Sequence, residues 1–359
     1  MAKNIVICCD GTGNEFGDSN SNVVKLFTTL VLDPKTQVAY YDPGLGTMGA
    51  NNALTSLGKW FTKMLGLAFG YGLLDNVGDA YRFLMQNWEP GDSLYLFGFS
   101  RGAYTVRVLA SVLHMFGLLP RDNQQLTPYI LRSLKGMDNA GEDIARRFKK
   151  VFAMECKPHF VGVWDTVSSV GWIMDPFQAR YTKVNPDIRF GRHAISIDER
   201  RCFFRQNLWG APQGGQDYKQ VWFAGVHSDI GGGYLEQDSG LAKVTLRWMI
   251  TEASAAGLMV NSSSVDEVLG IPPGSPYCPV DACGMIHNSL HGVWLILEYL
   301  PRRHWNSKTR KQEWIIYRKR PRFIAEDSVL HQAVLDRLAC AKADYHPPNL
   351  PAKYQVEPW

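Results

Sequence analysis

The sequence has almost no excess of charge of one sign, because 38 Lys and Arg residues are opposed by 34 Asp and Glu residues, leaving a formal net charge of +4 over 359 residues. This balance gives no reason to expect nucleic acid as a partner, since proteins that bind it present a strongly basic surface. The seven cysteines include no Cys-x-x-Cys pair, which argues against a zinc ribbon or a thioredoxin-type site. We therefore expect reduced, mostly buried thiols in a protein that folds in the cytoplasm.

Long apolar runs are also missing. The longest uncharged apolar stretch covers residues 64–74, about half of the ~20 residues that a membrane-spanning helix needs. The N-terminus shows no signal-peptide pattern, so we expect synthesis in the cytoplasm, and export through a non-classical secretion system stays an open question. With 45% hydrophobic and 20% charged residues, the composition excludes a mainly disordered chain.

Short apolar runs that end at turns alternate with helical stretches, which predicts an α/β fold with a mainly parallel central sheet flanked by helices. We predict strands at residues 4–9, 37–41, 93–97, 160–164 and 221–226, and helices at 74–88 and 103–116. Four of these strands are followed closely by polar residues suited to catalysis, namely Asp10, Ser100, Asp165 and His227. Because ligands bind at the carboxyl ends of parallel strands, we expect these residues to share one site.

Residues 98–102 read Gly-Phe-Ser-Arg-Gly and match the Gly-x-Ser-x-Gly nucleophile elbow. The motif lies between a predicted strand and a predicted helix, a context that a plain β-turn serine would not require. Its two glycines allow the sharp turn that exposes the Ser100 hydroxyl. The start of the following helix adds a positive dipole and makes the N–H of Arg101 the natural first oxyanion donor.

Several sequence blocks resemble the α/β-hydrolase family typified by type VI secretion phospholipase effectors. The blocks are residues 89–104, which contain the elbow, and residues 9–14, 161–167 and 223–234. The resemblance implies an α/β-hydrolase fold, for which we predict a single domain over residues 1–359 with helical, lid-like insertions. It also implies hydrolysis of carboxylic esters by a serine esterase or lipase, a chemistry that requires no cofactor and no metal.

A serine nucleophile needs a general base and a carboxylate that orients the base, and hydrolases of this class order them along the chain as Ser, Asp or Glu, then His. Ser100, Asp165 and His227 occur in this order, and the resemblance implies the same assignment. Asp229 is the alternative acid, unless it braces the adjacent glycine loop. His331 is the alternative base, although a lone His in a helix-like stretch more often packs or faces solvent. Asp165 has the alternative role of a helix N-cap.

The loop after the first strand reads Asp-Gly-Thr-Gly-Asn and has two interpretations. In an α/β-hydrolase this loop supplies the second oxyanion N–H, here from Gly11, Thr12 or Gly13. A phosphotransferase would instead need a nucleophilic Asp two residues before the Asp-Gly-Thr, where this chain has Cys8. An ion site at Asp10 stays open, although no ligand spacing requires one.

Two segments favour a lipid or phospholipid ester as substrate, with transient contact to a membrane surface. Residues 50–74 are nearly all apolar and contain only two charges, which suits a lid, although an ordinary buried helix fits equally well. Residues 285–325 are a basic and aromatic peripheral segment. Its strip at 302–322 suits anionic phospholipid headgroups or nucleic-acid phosphates, unless it forms a solvated hairpin. The alternative function is a catalytically weak lipid- or protein-binding module on the same fold.

Overall fold

A computed structural model describes residues 2–11, 17, 19–44, 71–134, 137–167, 171–172, 175–176, 179–306 and 311–359. Its centre is an eight-stranded sheet in which all neighbouring strands run parallel. The sheet strands are β1 (Asn4–Cys9), β2 (Gln37–Asp42), β3 (Ser93–Phe99), β4 (Pro158–Trp164), β7 (Phe190–Ser196), β8 (Asp217–Phe223), β11 (Ser328–His331) and β12 (Tyr354–Glu357). Two antiparallel pairs lie outside this sheet, β5 (Gly171–Trp172) with β6 (Asp175–Pro176), and β9 (Arg302–Asn306) with β10 (Lys311–Ile315).

The strand order is β12-β11-β8-β7-β4-β3-β1-β2. The chain leaves β1 toward the edge strand β2, returns to β3 on the other side of β1, and then proceeds toward the opposite edge. The reversal beside β1 is a topological switch point, where the carboxyl ends of the strands leave room for a ligand. Ser100 follows β3, Asp165 follows β4 and His227 follows β8, so all three lie at this end of the sheet.

Helices cover both faces of the sheet, and the alternation of side chains along β1 shows why. Ile5 and Ile7 pack in the cluster that includes α2 (Tyr71–Asn87) and α3 (Arg101–Phe116). Val6 and Cys8 pack in the cluster that includes α1 (Asn22–Thr29) and α7 (Gly240–Ala255). Burial on both faces explains the unbroken apolar run of this strand. The helices are α1 (Asn22–Thr29), α2 (Tyr71–Asn87), α3 (Arg101–Phe116), α4 (Thr127–Ser133), α5 (Asn139–Phe152), α6 (His227–Gly231), α7 (Gly240–Ala255), α8 (Ser262–Val268), α9 (Val293–Leu297) and α10 (Gln332–Ala339).

The predicted fold class, a parallel central sheet flanked by helices, is confirmed. β1 has the predicted bounds, and α3 begins two residues before the predicted start. β8 ends at Phe223 rather than at residue 226, because Gly225 has a φ of 120° and turns the chain out of the sheet. The predicted lid at residues 50–74 lies outside the described residues except for 71–74, which begin α2. The single-domain prediction for residues 1–359 stays a prediction.

The cysteines differ from expectation at one pair. Cys283 and Cys340 form a disulfide that joins segments 57 residues apart in sequence, with Cα atoms 6.4 Å apart. The prediction of reduced thiols is wrong for this pair, because the pairing depends on a fold contact that no local spacing announces. The other five cysteines form no disulfide, and four of them are buried. Within the described ranges, no helix is both long and apolar enough to cross a membrane.

Candidate active site

Ser100 lies in the strained turn between β3 and α3, with a φ of 58° and a ψ of −116°. Its N–H donates to the carbonyl of Trp164 at 3.0 Å, which ties the turn to the end of β4. A Cβ atom on Gly102 would come within 2.1 Å of the Cys9 carbonyl oxygen, and one on Gly98 within 2.5 Å of the Gly102 carbonyl oxygen. The two glycines therefore allow the close packing of strand, turn and helix on which the sequence motif depends.

His227 lies between Ser100 and Asp165. Its Nε2 is 2.8 Å from the Ser100 Oγ, and its Nδ1 is 2.6 Å from the Asp165 Oδ2. With Nδ1–H donating to the carboxylate, Nε2 is left to accept the serine proton. The rings of Phe99 and Phe204 contact the imidazole, with centroid distances of 4.7 and 4.8 Å. These contacts hold the imidazole in the orientation that joins the serine to the carboxylate.

Asp165 is fully buried, has a φ of 38°, and uses both carboxylate oxygens. Oδ1 accepts from the Ser196 N–H at 3.0 Å and from Arg322 Nη1 at 2.5 Å, and Oδ2 accepts from Arg322 Nη2 at 2.9 Å and from His227. Burial alone would raise the pKa of Asp165, but the Arg322 guanidinium and His227 together hold it well below its ordinary value. The carboxylate is therefore ionised, and its side chain does not act as a helix N-cap.

The imidazole of His227 is kept neutral by its surroundings. Burial lowers the pKa of His227, and this effect outweighs the attraction of Asp165 for the imidazolium. Glu199 and Arg201 also face His227, and they are paired with one another. Glu199 accepts from the His227 backbone N–H at 3.3 Å and is completely buried. A neutral imidazole with a free acceptor nitrogen is the state that a general base needs.

A family model described as "T6SS, Phospholipase effector Tle1-like, catalytic domain" matches residues 3–252, which is more than half of the chain. The chain belongs to this Tle1-like family. The description of the family names a phospholipase effector. The Tle1-like segment contains Ser100, Asp165 and His227, and it ends before Arg322.

Two similar proteins extend the comparison. The uncharacterized protein YEL023C of Saccharomyces cerevisiae is 34% identical over 221 residues, which cover 57% of this chain and 32% of that protein. A crystal structure of an uncharacterized protein from Pseudomonas aeruginosa superposes with a TM-score of 0.42 at 19% identity, covering 74% of this chain and 47% of that one. This Tle1-like chain thus spans about a third of the curated relative and about half of the solved protein.

The predicted oxyanion loop is described only at its start. The Gly11 N–H donates to Asp10 Oδ1 at 2.6 Å, whereas Thr12 and Gly13 lie outside the described residues. Asp10 Oδ2 accepts from the Ser21 hydroxyl at 2.5 Å and from the Tyr41 hydroxyl at 2.9 Å. Asp10 thus braces the loop in this Tle1-like site. In the part of the chain that the structure describes, no group of three or more His, Cys, Asp or Glu residues is placed to hold a metal.

The alternative residues have other partners. Asp229 pairs with His287, whose Nδ1 lies 2.6 Å from Asp229 Oδ1, and it also accepts from the Val226 N–H at 2.9 Å. Asp229 therefore joins α6 to the loop that carries His287. His331 caps α10, where its Nδ1 accepts from the Ala333 N–H at 3.2 Å, and its ring stacks on Phe223. Neither contact brings these residues to Ser100.

Sequence reasoning missed two charged residues that contact the triad candidates. The sequence groups Arg322 with a basic strip that looks peripheral, yet its side chain is fully buried against Asp165. Glu199, which follows β7, gives no motif and is recognised only by its contacts with His227 and Arg201. The usable signal for Arg322 was weak, since a charge run is usually solvated and the contact spans 157 residues of sequence.

Proposed function

We propose that the protein is a serine hydrolase that cleaves carboxylic esters of phospholipids through an acyl-enzyme. The observation that carries this proposal is the unbroken chain of contacts from Ser100 Oγ through His227 to the buried Asp165 carboxylate. Membership in a phospholipase effector family supports a lipid substrate. A neutral imidazole and an ionised carboxylate are the starting states that such a triad requires.

The proposed reaction has two balanced steps. In the first, Ser100 Oγ attacks the ester carbonyl while His227 Nε2 takes the hydroxyl proton, and the proton then passes to the departing alcohol as the C–O bond breaks. In the second, His227 takes a proton from water, whose oxygen attacks the acyl carbon. The bond to Ser100 Oγ then breaks, His227 returns the proton to Oγ, and the carboxylic acid is released. Asp165 keeps the Nδ1 proton in place throughout. The N–H of Arg101, with an N–H from residues 12–13, is proposed to bind the oxyanion, since the Gly11 N–H donates to Asp10.

Two surfaces are proposed to meet the lipid. One is the apolar segment at residues 50–74, on the basis of its composition. The other is here called the exposed stripe. It consists of large apolar side chains that are exposed to solvent in the segment from α9 to β11: Ile296, Tyr299, Leu300, Trp314, Ile316 and Phe323. Before the buried Arg322, residues 302–321 contain eight Lys and Arg residues and one Glu. This combination favours a transient contact with an anionic bilayer, and family membership favours export by a type VI secretion system.

Covalent labelling by a fluorophosphonate tests the proposal. The wild-type protein should be labelled and should hydrolyse phospholipid and nitrophenyl esters, whereas Ser100→Ala should lose labelling and several powers of ten in turnover. Ser133→Ala, which removes an exposed hydroxyl on α4, serves as the matched control and should behave as wild type. Absence of labelling in the wild type would instead support the alternative of a lipid- or protein-binding module, and labelling retained in Ser100→Ala would overturn the assignment of the nucleophile.

A further inference from the structure

We propose that Arg322 is a positioning residue for the hydrolytic site, which fixes the Asp165 carboxylate and keeps His227 active as a base in mildly acidic solution. The proposal rests on the serine-hydrolase function proposed above. It assigns a role to a residue 70 positions beyond the segment that matches the family model, which ends at residue 252. Arg322 therefore brings the C-terminal part of the chain into the site.

The geometry identifies the guanidinium as a fork around one carboxylate. Nη1 and Nη2 lie 2.5 and 2.9 Å from the two Asp165 oxygens, and both side chains have no exposed surface. Nη1 also donates to the Ser196 carbonyl at 3.0 Å, and Nη2 donates to the Phe204 carbonyl. Because the fork is planar and all four contacts are satisfied together, the carboxylate plane has one orientation, in which Oδ2 faces His227.

Without Arg322, the ionised form of the Asp165 carboxylate would lose two of its hydrogen-bond donors and its countercharge. Its remaining donors would be the Ser196 N–H and His227, since Asp165 has no solvent-exposed surface. A buried carboxylate without a countercharge favours the neutral form, or else it draws a proton onto the neighbouring imidazole. In either case the coupled pair of Asp165 and His227 would bind its proton at a higher pH.

The positive charge of Arg322 opposes that proton uptake, whichever partner would receive it. Among the described residues, the other charged groups that act on His227 are Glu199 and Arg201, which pair with each other at 2.8 Å and largely cancel. Asp229, two residues along α6, is turned to His287. Arg322 is thus the cation whose removal changes the charge at the triad most directly, and the acid limb of kcat/KM is the quantity that reports it.

The test compares pH profiles of kcat/KM on a soluble ester. Arg322→Met and Arg322→Gln should move the acid limb upward by about one pH unit or more, because an opposite charge beside a carboxylate shifts proton binding by that amount. Arg322→Lys keeps the charge and loses the fork, so its acid limb should stay near that of wild type while kcat falls. Arg192→Met is the matched control, since Arg192 is also buried and ion-paired, with Asp217 and Glu252. The control should lose stability without moving the acid limb.

Each outcome decides between the alternatives. An acid limb for the folded Met or Gln variants that coincides with that of wild type would overturn the role of Arg322. If neither neutral variant folds, the imidazole nitrogen shifts of His227 are titrated in wild type and in Arg322→Lys. In both proteins the imidazole of His227 should titrate below the ordinary histidine pKa of about 6.5. A His227 pKa above that value in either protein would overturn the proposal. If the wild-type protein hydrolyses no ester, or if Ser100→Ala still hydrolyses esters, the underlying serine-hydrolase function would be refuted instead.

Discussion

At the residue scale, Asp165 and Asp229 both lie near His227 but have different roles, and substitution of each should affect turnover and stability differently. Asp165→Asn removes the carboxylate that holds the Nδ1 proton and leaves Arg322 buried without its countercharge. The variant should therefore lose turnover on the order of 10⁴-fold, as loss of a triad acid does elsewhere, together with unfolding free energy. Asp229→Asn places an amide N–H against the N–H groups of Val226 and His287. This second variant should lose about 1–3 kcal/mol of unfolding free energy because buried donors stay unsatisfied.

The measurement is kcat on a soluble ester beside denaturant unfolding for the two variants. A loss of turnover larger for Asp229→Asn than for Asp165→Asn would make Asp229 the acid, against the contacts in the structure. Sequence order alone favours Asp165 over Asp229 as the triad acid, but it does not exclude Asp229, because both residues follow the end of a strand. The contact that decides between them, between Asp229 and His287, joins residues 58 positions apart.

At the scale of elements, we expect the exposed stripe to bind anionic vesicles. Trp314 is 54% exposed and Ile316 is 40% exposed, and burying even half of each side chain in lipid contributes about 1.5 kcal/mol in total, or about tenfold in partition. The double variant Trp314→Ser with Ile316→Ser should therefore bind vesicles of phosphatidylglycerol and phosphatidylcholine at least ~tenfold more weakly. Hydrolysis of a soluble ester should be little changed.

The matched control is Val151→Ser with Phe152→Ser, since these residues at the end of α5 are 70% and 44% exposed. Flotation with vesicles measures both pairs, and raised salt should weaken the wild-type interaction because the strip is basic. An equal loss for the two pairs, or no loss for either, would remove the stripe as the membrane contact and leave residues 50–74 as the remaining candidate.

Elements were predictable where local chemistry determines them. The apolar run of β1 and the elbow before α3 follow from burial on both faces and from the two glycines, so their positions agree closely with expectation. The ends of β8 and the short helix α6 depend on a glycine turn at Gly225. The pairing of Arg322 with Asp165 depends on the folded position of a late segment, and a run of basic residues gives no sign of which one is buried.

At the scale of the whole molecule, buried imidazoles should make the protein sensitive to acid. Burial lowers the pKa of His193 to about 3 and that of His331 to about 4. The unfolded chain protonates both near the ordinary value of about 6.5, so it binds more protons than the folded chain between that pH and pH 3–4. The free energy of unfolding should consequently fall as the pH drops through this window. Asp198, whose pKa burial raises to about 6, opposes the trend.

Urea unfolding across this pH range for wild type and His193→Gln isolates the effect. The amide can still accept from the Thr166 N–H, which donates to His193 Nε2 at 3.2 Å, while it cannot take up a proton. The slope of stability against pH should therefore flatten in the variant. His346→Gln, at a side chain that is 81% exposed, should keep the wild-type slope. Identical slopes for wild type and His193→Gln would show that protonation of His193 does not cause the loss of stability at low pH.

The place of Arg322 in the chain also has a consequence for biosynthesis. A ribosome produces Ser100, Asp165 and His227 well before Arg322, which follows His227 by 95 positions (322 − 227). At ordinary elongation rates this interval lasts roughly 5–20 s. During that time the nascent polypeptide carries the three proposed triad residues while the Asp165 carboxylate still lacks its guanidinium partner. The proposed site would therefore be complete only after Arg322 has been translated, and a product cut short before Arg322 would lack the guanidinium that pairs with Asp165.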